Sequence, residues 1–564
     1  MKKSKLVKLF FILTLAVTIV GTQTLAFAKP LNEAAKSESP MFQLTKSPDS
    51  KLFVNLKEKI GESSDNDEIP VTVIFNKKLS DTEFSSIEKL LGNPKLKHKF
   101  DIIPGVALNL TKKQISQLEK SDLIQQVEYD APVHATLDTA SSSFGVTKAR
   151  TDFNVNGDGN NAPTTYSTSD VVVAVIDSGI DSSHVDLDGG KVIAWKDWVN
   201  NRTTPYDDNG HGSHVAGIVA GTGEGNPSYK GVAPGAALIG LKVLDSTGRG
   251  TMSNVTAAID WAVTNKAKYN IRIISLSLGT DASSDGTDST SVAINNAFNA
   301  GIVPIVAAGN AGPGKATIGS PGAAAKALTV GALGDLGEKG YFLADFSSRG
   351  LTADGRVKPD IAAPGYQITS VQANSTHKYI AYSGTSMATP FTSGTAALIL
   401  DANPSLTASQ VVNLIISTAQ DWGPAGQDLD YGFGKLDSYE AVKQAGNFTG
   451  TGPANPNHIY KADSLAKTGS YDEYTISVPN TTYPIAITLI HPNWTSSQDF
   501  DLYLYNPAGT QVASSETADR QETISFTPTT AGTYKIKVQS YRGSGSYFFD
   551  VSSGAATITQ TTNQ

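Results

Sequence analysis

At 564 residues the chain is too long for a single hydrophobic core, so several domains are expected. Its net charge of −8 lacks the basic footprint of a nucleic-acid binder. The lack of cysteine excludes disulfides, thiolate metal sites and a cysteine nucleophile.

Residues 1–28 read as a secretory signal. Lys2, Lys3, Lys5 and Lys8 precede an apolar stretch, Leu9 to Val20, and Ala26-Phe27-Ala28 is a small-x-small cleavage site. The mature protein is expected to be secreted and free of the membrane. Residues 29–65 are polar with little pattern and read as a flexible lead-in. Residues 66–137 give the order β-α-β-β-α-β of a ferredoxin-like unit. Its two helices open on capping boxes, Ser80 to Glu83 and Thr111 to Gln114. Residues 138–165 are rich in Ser, Asn, Gly and Thr and read as a linker or an irregular start.

From 170 to 445 short apolar runs alternate with helical patterns. The runs are Val171–Ile176, Ala237–Val243, Ile271–Leu278, Ile302–Ala308 and Ala327–Val330. Uninterrupted apolar strands are those covered on both faces, so an α/β domain with a mostly parallel sheet is predicted. Residues 446–458 are Gly, Asn, Thr and Pro, a second linker. Period-two segments then recur over 459–554 and predict a small all-β sandwich.

Ligands of a parallel sheet bind at the carboxyl ends of its strands, and the ends here carry polar residues. Asp177 ends the first run, where it is either a turn former or a bound carboxylate. His211 opens a helix pattern in Asn209-Gly210-His211-Gly212-Ser213-His214-Val215-Ala216-Gly217. A helix start favours the neutral imidazole that a general base needs. The His211-x-x-His214 pair also admits zinc, but lacks the glutamate of an HExxH helix. Ser386, in Ser383-Gly384-Thr385-Ser386-Met387-Ala388-Thr389-Pro390, sits at the start of a buried helix and alone reads as an N-cap sooner than as a nucleophile.

Together these contexts, in the order Asp, His, Ser, resemble the subtilisin family of serine proteases (subtilases). The resemblance covers about 170–445 and implies a catalytic domain at 138–445. It implies that Asp177 orients His211, that His211 is the base and that Ser386 is the nucleophile. Asn310, in Ala307-Ala308-Gly309-Asn310, would share an oxyanion hole with the Ser386 N–H. Gly248, Arg249, Gly250, Ser277, Leu278, Gly279, Ala307 and Gly309 would line the cleft for an extended peptide. Gly319 would lie at the base of the primary pocket. With Ala311 beside Asn310 this implies an uncharged pocket for large apolar residues before the scissile bond. Asp186 would be a ligand of a structural Ca2+; no organic cofactor is implied. Residues 66–137 resemble the inhibitor propeptide of subtilases, an intramolecular partner cleaved off near Ala135–Ala140. Residues 459–554 resemble a pre-peptidase C-terminal domain. The expected partners are protein and peptide substrates, with no nucleic acid, and the enzyme is expected to be monomeric. The rival readings are a catalytically silent binding protein and a narrow processing protease.

Overall fold

The computed structural model describes residues 50–65, 67–92, 94–100, 103–130, 132–133, 143–335, 340–453, 457–553 and 558–562. The signal reading of residues 1–28 and the cleavage region Ala135–Ala140 lie outside them. All described residues belong to one unit, Met41–Gln564. Among them no helix is long and apolar enough to cross a membrane.

The N-terminal β-α-β-β-α-β order is as read. Strands Ile69–Phe75, Leu96–Lys99, Gly105–Leu110 and Ile124–Tyr129 form an antiparallel sheet, with the first strand between the third and the fourth. The helices Asp81–Leu90 and Lys112–Glu119 start where the capping boxes put them; Ser80 N–H donates to Glu83 and Thr111 N–H to Gln114. The lead-in reading fails after residue 50. Val54–Glu62 is a helix packed on strand Ile124–Tyr129, with Leu52, Phe53 and Leu56 buried. Three apolar residues in a polar stretch suffice to dock one turn of helix, but they are too few to show a period.

The five apolar runs form the centre of an eight-stranded sheet. Its path is Tyr341–Leu343, Leu328–Asp335, Val303–Ala307, Ile271–Leu276, Val172–Asp177, Ala237–Lys242, Val192–Asp197, with Ile361–Pro364 beside Leu328–Asp335. The pairs are parallel except for the edge strand Tyr341–Leu343. Helices cover both faces. One core layer holds Val173 and Val175 with Val215, Val219 and the Leu398–Leu400 stretch; the other holds Val172, Ala174 and Ile176 with Val255, Ile259 and Ile294. Alternate residues of one strand thus feed two cores, and the run reads as unbroken apolar for that reason.

The C-terminal part is two antiparallel sheets closed on a shared core that includes Phe500, Leu502, Ile536, Phe549 and Val551. The period-two segments form the strands Tyr471–Val478, Ile485–Ile490, Asp499–Tyr505, Gln521–Phe526, Gly532–Arg542 and Gly545–Ser553. Asn457–Leu465, Gln511–Ser515 and Ile558–Thr562 add to them, so strand structure runs past residue 554.

Candidate active site

The strand Val172–Asp177 ends on a buried carboxylate. Asp177 Oδ1 lies 2.6 Å from His211 Nδ1 and also accepts the Ser178 N–H at 2.7 Å. His211 is the first residue of helix His211–Ala220. That helix start can lie against the aspartate because residue 212 is glycine. A Cβ there would stand 2.1 Å from Gly179 O and 3.1 Å from Asp177 Cβ.

Asp207 holds the helix start. Its Oδ1 accepts the Gly210 N–H at 2.8 Å and the Ser178 hydroxyl at 3.0 Å, while Oδ2 accepts Ser213 N–H at 2.8 Å and Oγ–H at 2.7 Å. Ser178 Oγ in turn accepts the Gly212 N–H at 2.8 Å. A carboxylate is favoured at the positive end of a helix, and this one fixes the residue on each side of His211. Sequence reading passed over Asp207, although an aspartate four residues before the histidine was a signal for it.

His214 points to two strands. Its Nε2 is 3.1 Å from the carbonyl oxygens of Ile368 and Ile380, and burial, followed by the charge of His211, pushes it down to about 3. It is a neutral donor to two strands, and the zinc pairing has no geometry here.

Ser386 is the second residue of helix Thr385–Ala402, which packs against the His211 helix. Pro390 has no N–H, so the Ser386 carbonyl loses its partner four residues on. The Ser277 hydroxyl replaces it at 2.7 Å, and Ser386 Oγ donates back to Ser277 O at 3.0 Å. This reciprocal pair ties the serine to the end of strand Ile271–Leu276. Ser277, read from the sequence as a substrate contact, is therefore also a support of Ser386.

Asn310 follows strand Val303–Ala307. Its Oδ1 accepts the Thr385 N–H at 2.9 Å and the Thr385 hydroxyl at 3.2 Å. The amide is thereby oriented with its nitrogen turned away from Thr385, one residue before Ser386. Gly319 lies where only glycine fits, since a Cβ would stand 1.9 Å from Thr280 O. Thr280 N–H donates to Ser320 O at 2.9 Å, which joins this turn to Gly279 and Leu278.

Gly250–Thr251 is paired, antiparallel, with Pro132–Val133 of the N-terminal region. The edge expected to take an extended peptide thus carries a stretch of this chain. The neighbouring contacts are made by carboxyl groups to helix starts, with one ion pair. Glu128 accepts the Ser289 N–H at 2.8 Å, at the start of helix Ser289–Asn299, and Asp130 accepts the Ser253 N–H, at the start of helix Met252–Thr264. Lys97 binds both Asp130 and Thr251. Burial first and Asp288 second push the Glu128 carboxyl up to about 8. The Arg249 side chain is exposed.

The surroundings of Asp186 do not fit a calcium ion. Its Oδ1 accepts the Gly225 N–H at 3.0 Å and its Oδ2 the Tyr379 hydroxyl at 3.0 Å. Burial and the adjacent Asp186 push the Tyr379 phenol upward, so it remains a donor. The loop offers N–H and O–H groups where a hard cation needs oxygen acceptors. Among the described residues no group of three or more His, Asp and Glu is placed to hold a metal ion.

Residues 168–434 match the Subtilase family, residues 48–114 the Tk-SP N-propeptide domain and residues 470–540 the Bacterial pre-peptidase C-terminal domain. The propeptide match starts before helix Val54–Glu62, which agrees with that helix packing on the small sheet. The chain is 37% identical over 403 residues to Serine protease AprX of Bacillus subtilis (strain 168), covering 66% of this chain and 87% of the relative. It is 35% identical over 352 residues to Subtilisin E of the same strain, covering 62% and 83%. It is 39% identical over 281 residues to Subtilisin of Bacillus pumilus, covering 49% and 93%. The solved structure Sphericase is 34% identical and covers 53% of this chain and 99% of its own, with a TM-score of 0.42. A mostly parallel sheet with Asp177, His211 and Ser386 at its carboxyl end, and relatives aligned over most of their length, lead to one assignment: the chain belongs to the subtilase family of serine peptidases.

Proposed function

We propose that the chain is a secreted endopeptidase of broad specificity that prefers large apolar residues before the scissile bond. The observation that carries this is the 2.6 Å contact of Asp177 with His211, beside a serine whose backbone is fixed from Ser277. Ser386 Oγ turns from Ser277 O and attacks the scissile carbonyl while His211 Nε2 takes its proton. The oxyanion is met by the Ser386 N–H and the Asn310 amide. His211 returns the proton to the leaving amine, and water then hydrolyses the acyl-enzyme by the same relay. Asp177 keeps Nδ1 as the protonated nitrogen and stabilises the imidazolium.

The primary pocket runs between Ser277-Leu278-Gly279 and the Ala307–Gly319 segment. Ala311 and Gly319 put no charge in it, which favours apolar side chains. Gly248-Arg249-Gly250 offers main-chain groups to the upstream residues by strand addition. The test pairs peptides that differ only in Phe or Asp before the scissile bond with labelling by a serine-directed phosphonate. The Phe peptide should be cut faster, and the label should sit on Ser386. A label on another residue, or equal rates, would overturn the reading.

The N-terminal region is read as an inhibitor that blocks the cleft through Pro132–Val133. Its docking should weaken as pH rises. A carboxyl raised in the docked state binds more protons docked than free, so its contribution is full below the free carboxyl range and is lost as pH passes through about 8. The dissociation constant of the cleaved segment should be about 100-fold larger at pH 9 than at pH 6. Glu128→Gln should flatten that difference.

A further inference from the structure

The segment that leads from Asn310 to Gly319 is held on two sides. On one side it is bonded to residues 346–350. Ala311 N–H donates to Ser348 Oγ at 3.2 Å, Gly312 N–H to Phe346 O at 2.9 Å and Thr317 N–H to Arg349 O at 3.0 Å. On the other side stands Arg520, which comes from the C-terminal sheets. Its Nη1 donates to Pro313 O at 3.2 Å.

Arg520 is itself immobilised. It is 3% exposed. Its guanidinium forks onto Asp430, Nη1 to Oδ1 at 2.7 Å and Nη2 to Oδ2 at 3.1 Å, and its Nε donates to His491 O at 3.0 Å. Asp430 is shared with the fully buried Arg349, at 3.3 Å. Arg349 also donates to Gln521 Oε1 at 2.8 Å and, through Nε, to Ser347 O at 2.7 Å. One carboxylate thus fastens both walls of the 310–319 segment. A planar fork with every edge engaged is a rigid brace, a geometry that the point charge of lysine does not reproduce.

We infer that Arg520 is a positioning residue for peptide hydrolysis: through Pro313 it fixes the wall of the primary specificity pocket between Asn310 and Gly319. The inference rests on the pocket assignment made above, and it gives the C-terminal sheets a part in substrate selection. A loosened wall misplaces the substrate side chain before it misplaces the nucleophile. Small misplacements are costly when the reaction depends on a near-attack geometry.

The test uses the full chain with Arg520→Lys, Arg520→Ala and Thr488→Val, and peptides with Phe or Ala before the scissile bond. Thr488 Oγ is also at the junction of the sheets, where it accepts the Leu343 N–H at 3.1 Å, but it does not touch the 310–319 segment. Arg520→Lys keeps a cation for Asp430 and should stay folded. It should lose about tenfold in kcat/KM on the Phe peptide, with a much smaller loss on the Ala peptide. The Phe-to-Ala ratio should therefore collapse, further in Arg520→Ala where that variant folds. Thr488→Val should lower Tm and keep the wild-type ratio. If Arg520→Lys is folded and keeps the wild-type ratio, or shifts it no more than Thr488→Val, the inference is wrong. Failure of the pocket reading shows separately, as a wild type that does not prefer Phe. In that case a tenfold fall in kcat/KM of Arg520→Lys on the best substrate, absent from Thr488→Val, still supports the brace.

Discussion

Ser386→Ala should lower kcat by about 10⁶, the size of loss that subtilisin itself shows on removal of its serine. The substitution deletes Oγ and little else. The Ser386 N–H stays for the oxyanion, and the Ser277 hydroxyl still satisfies the carbonyl that Pro390 leaves open. The Oγ donation to Ser277 O is lost, which costs about 1 kcal/mol. Tm should therefore hardly move and KM should stay near the wild-type value, while turnover collapses. The variant should also remain at precursor length when it is expressed alone, because cleavage after the inhibitor segment needs the same nucleophile. Gel mobility, intact mass and casein hydrolysis read the three effects together. A variant that matures in isolation, or that still digests casein, would place the nucleophile elsewhere. Residual hydrolysis above water is expected from Asn310 and the Ser386 N–H, which need no serine oxygen.

The parts legible in the sequence share a physical cause. A strand buried on both faces needs an unbroken apolar run, so Val171–Ile176 and its four counterparts could be read without neighbours. A polar residue at the end of such a run is conspicuous, which exposed Asp177, whereas Asn310 came from the resemblance to the family. Helix starts carry local chemistry, so the two capping boxes of the N-terminal region were found, although a third, Thr407 with Gln410, was passed over. What stayed hidden depends on contacts between distant segments. Val192–Asp197 is an edge strand whose first four residues are only partly buried, and its pattern is correspondingly weak. The Ser277–Ser386 exchange joins residues 109 apart, and the Arg520–Asp430 fork residues 90 apart. The donors around Asp186 come from Tyr379 and from a loop whose backbone direction no local pattern declares. There the expectation of calcium came from the aspartate alone, and its partners decided otherwise.

The C-terminal sheets show the same division. Their strands were legible from period two, but their place was not. The structure seats them against the catalytic sheet through buried polar groups. Gln521 donates to Leu343 O at 2.7 Å, and Asp550 accepts the Gly423 N–H at 3.1 Å while lying 3.0 Å from His458 Nδ1. Trp422 stacks on His458 at 4.6 Å. Separation would leave these groups unpaired, at about 1–3 kcal/mol for each one that stays out of water. The C-terminal sheets are thus packed into one unit with the catalytic sheet, which lets a residue of theirs reach the 310–319 segment.

Asp177→Asn should cost about 10⁴ in kcat at neutral pH with KM nearly constant, a loss of the kind the Asp-to-Asn change causes in a Ser-His-Asp protease of another fold. The shape of the site is kept, because asparagine fills the same volume and the Asp207 and Ser178 network still holds the helix start. Two things change. The amide can donate to His211 Nδ1, which puts the proton on Nε2, where it blocks acceptance from Ser386. The negative charge 2.6 Å from Nδ1 is also gone, so the imidazolium formed during attack has no counter-charge in a buried site. Both effects act on the transition state and neither acts on peptide binding, so the loss should fall on kcat. Serine-directed phosphonate labelling should slow in parallel, since it uses the same activated oxygen, and the Tm measured alongside should stay close to that of the wild type. A variant with full labelling rate would show that His211 does not need Asp177. A loss confined to KM would place Asp177 in substrate binding instead of in the relay.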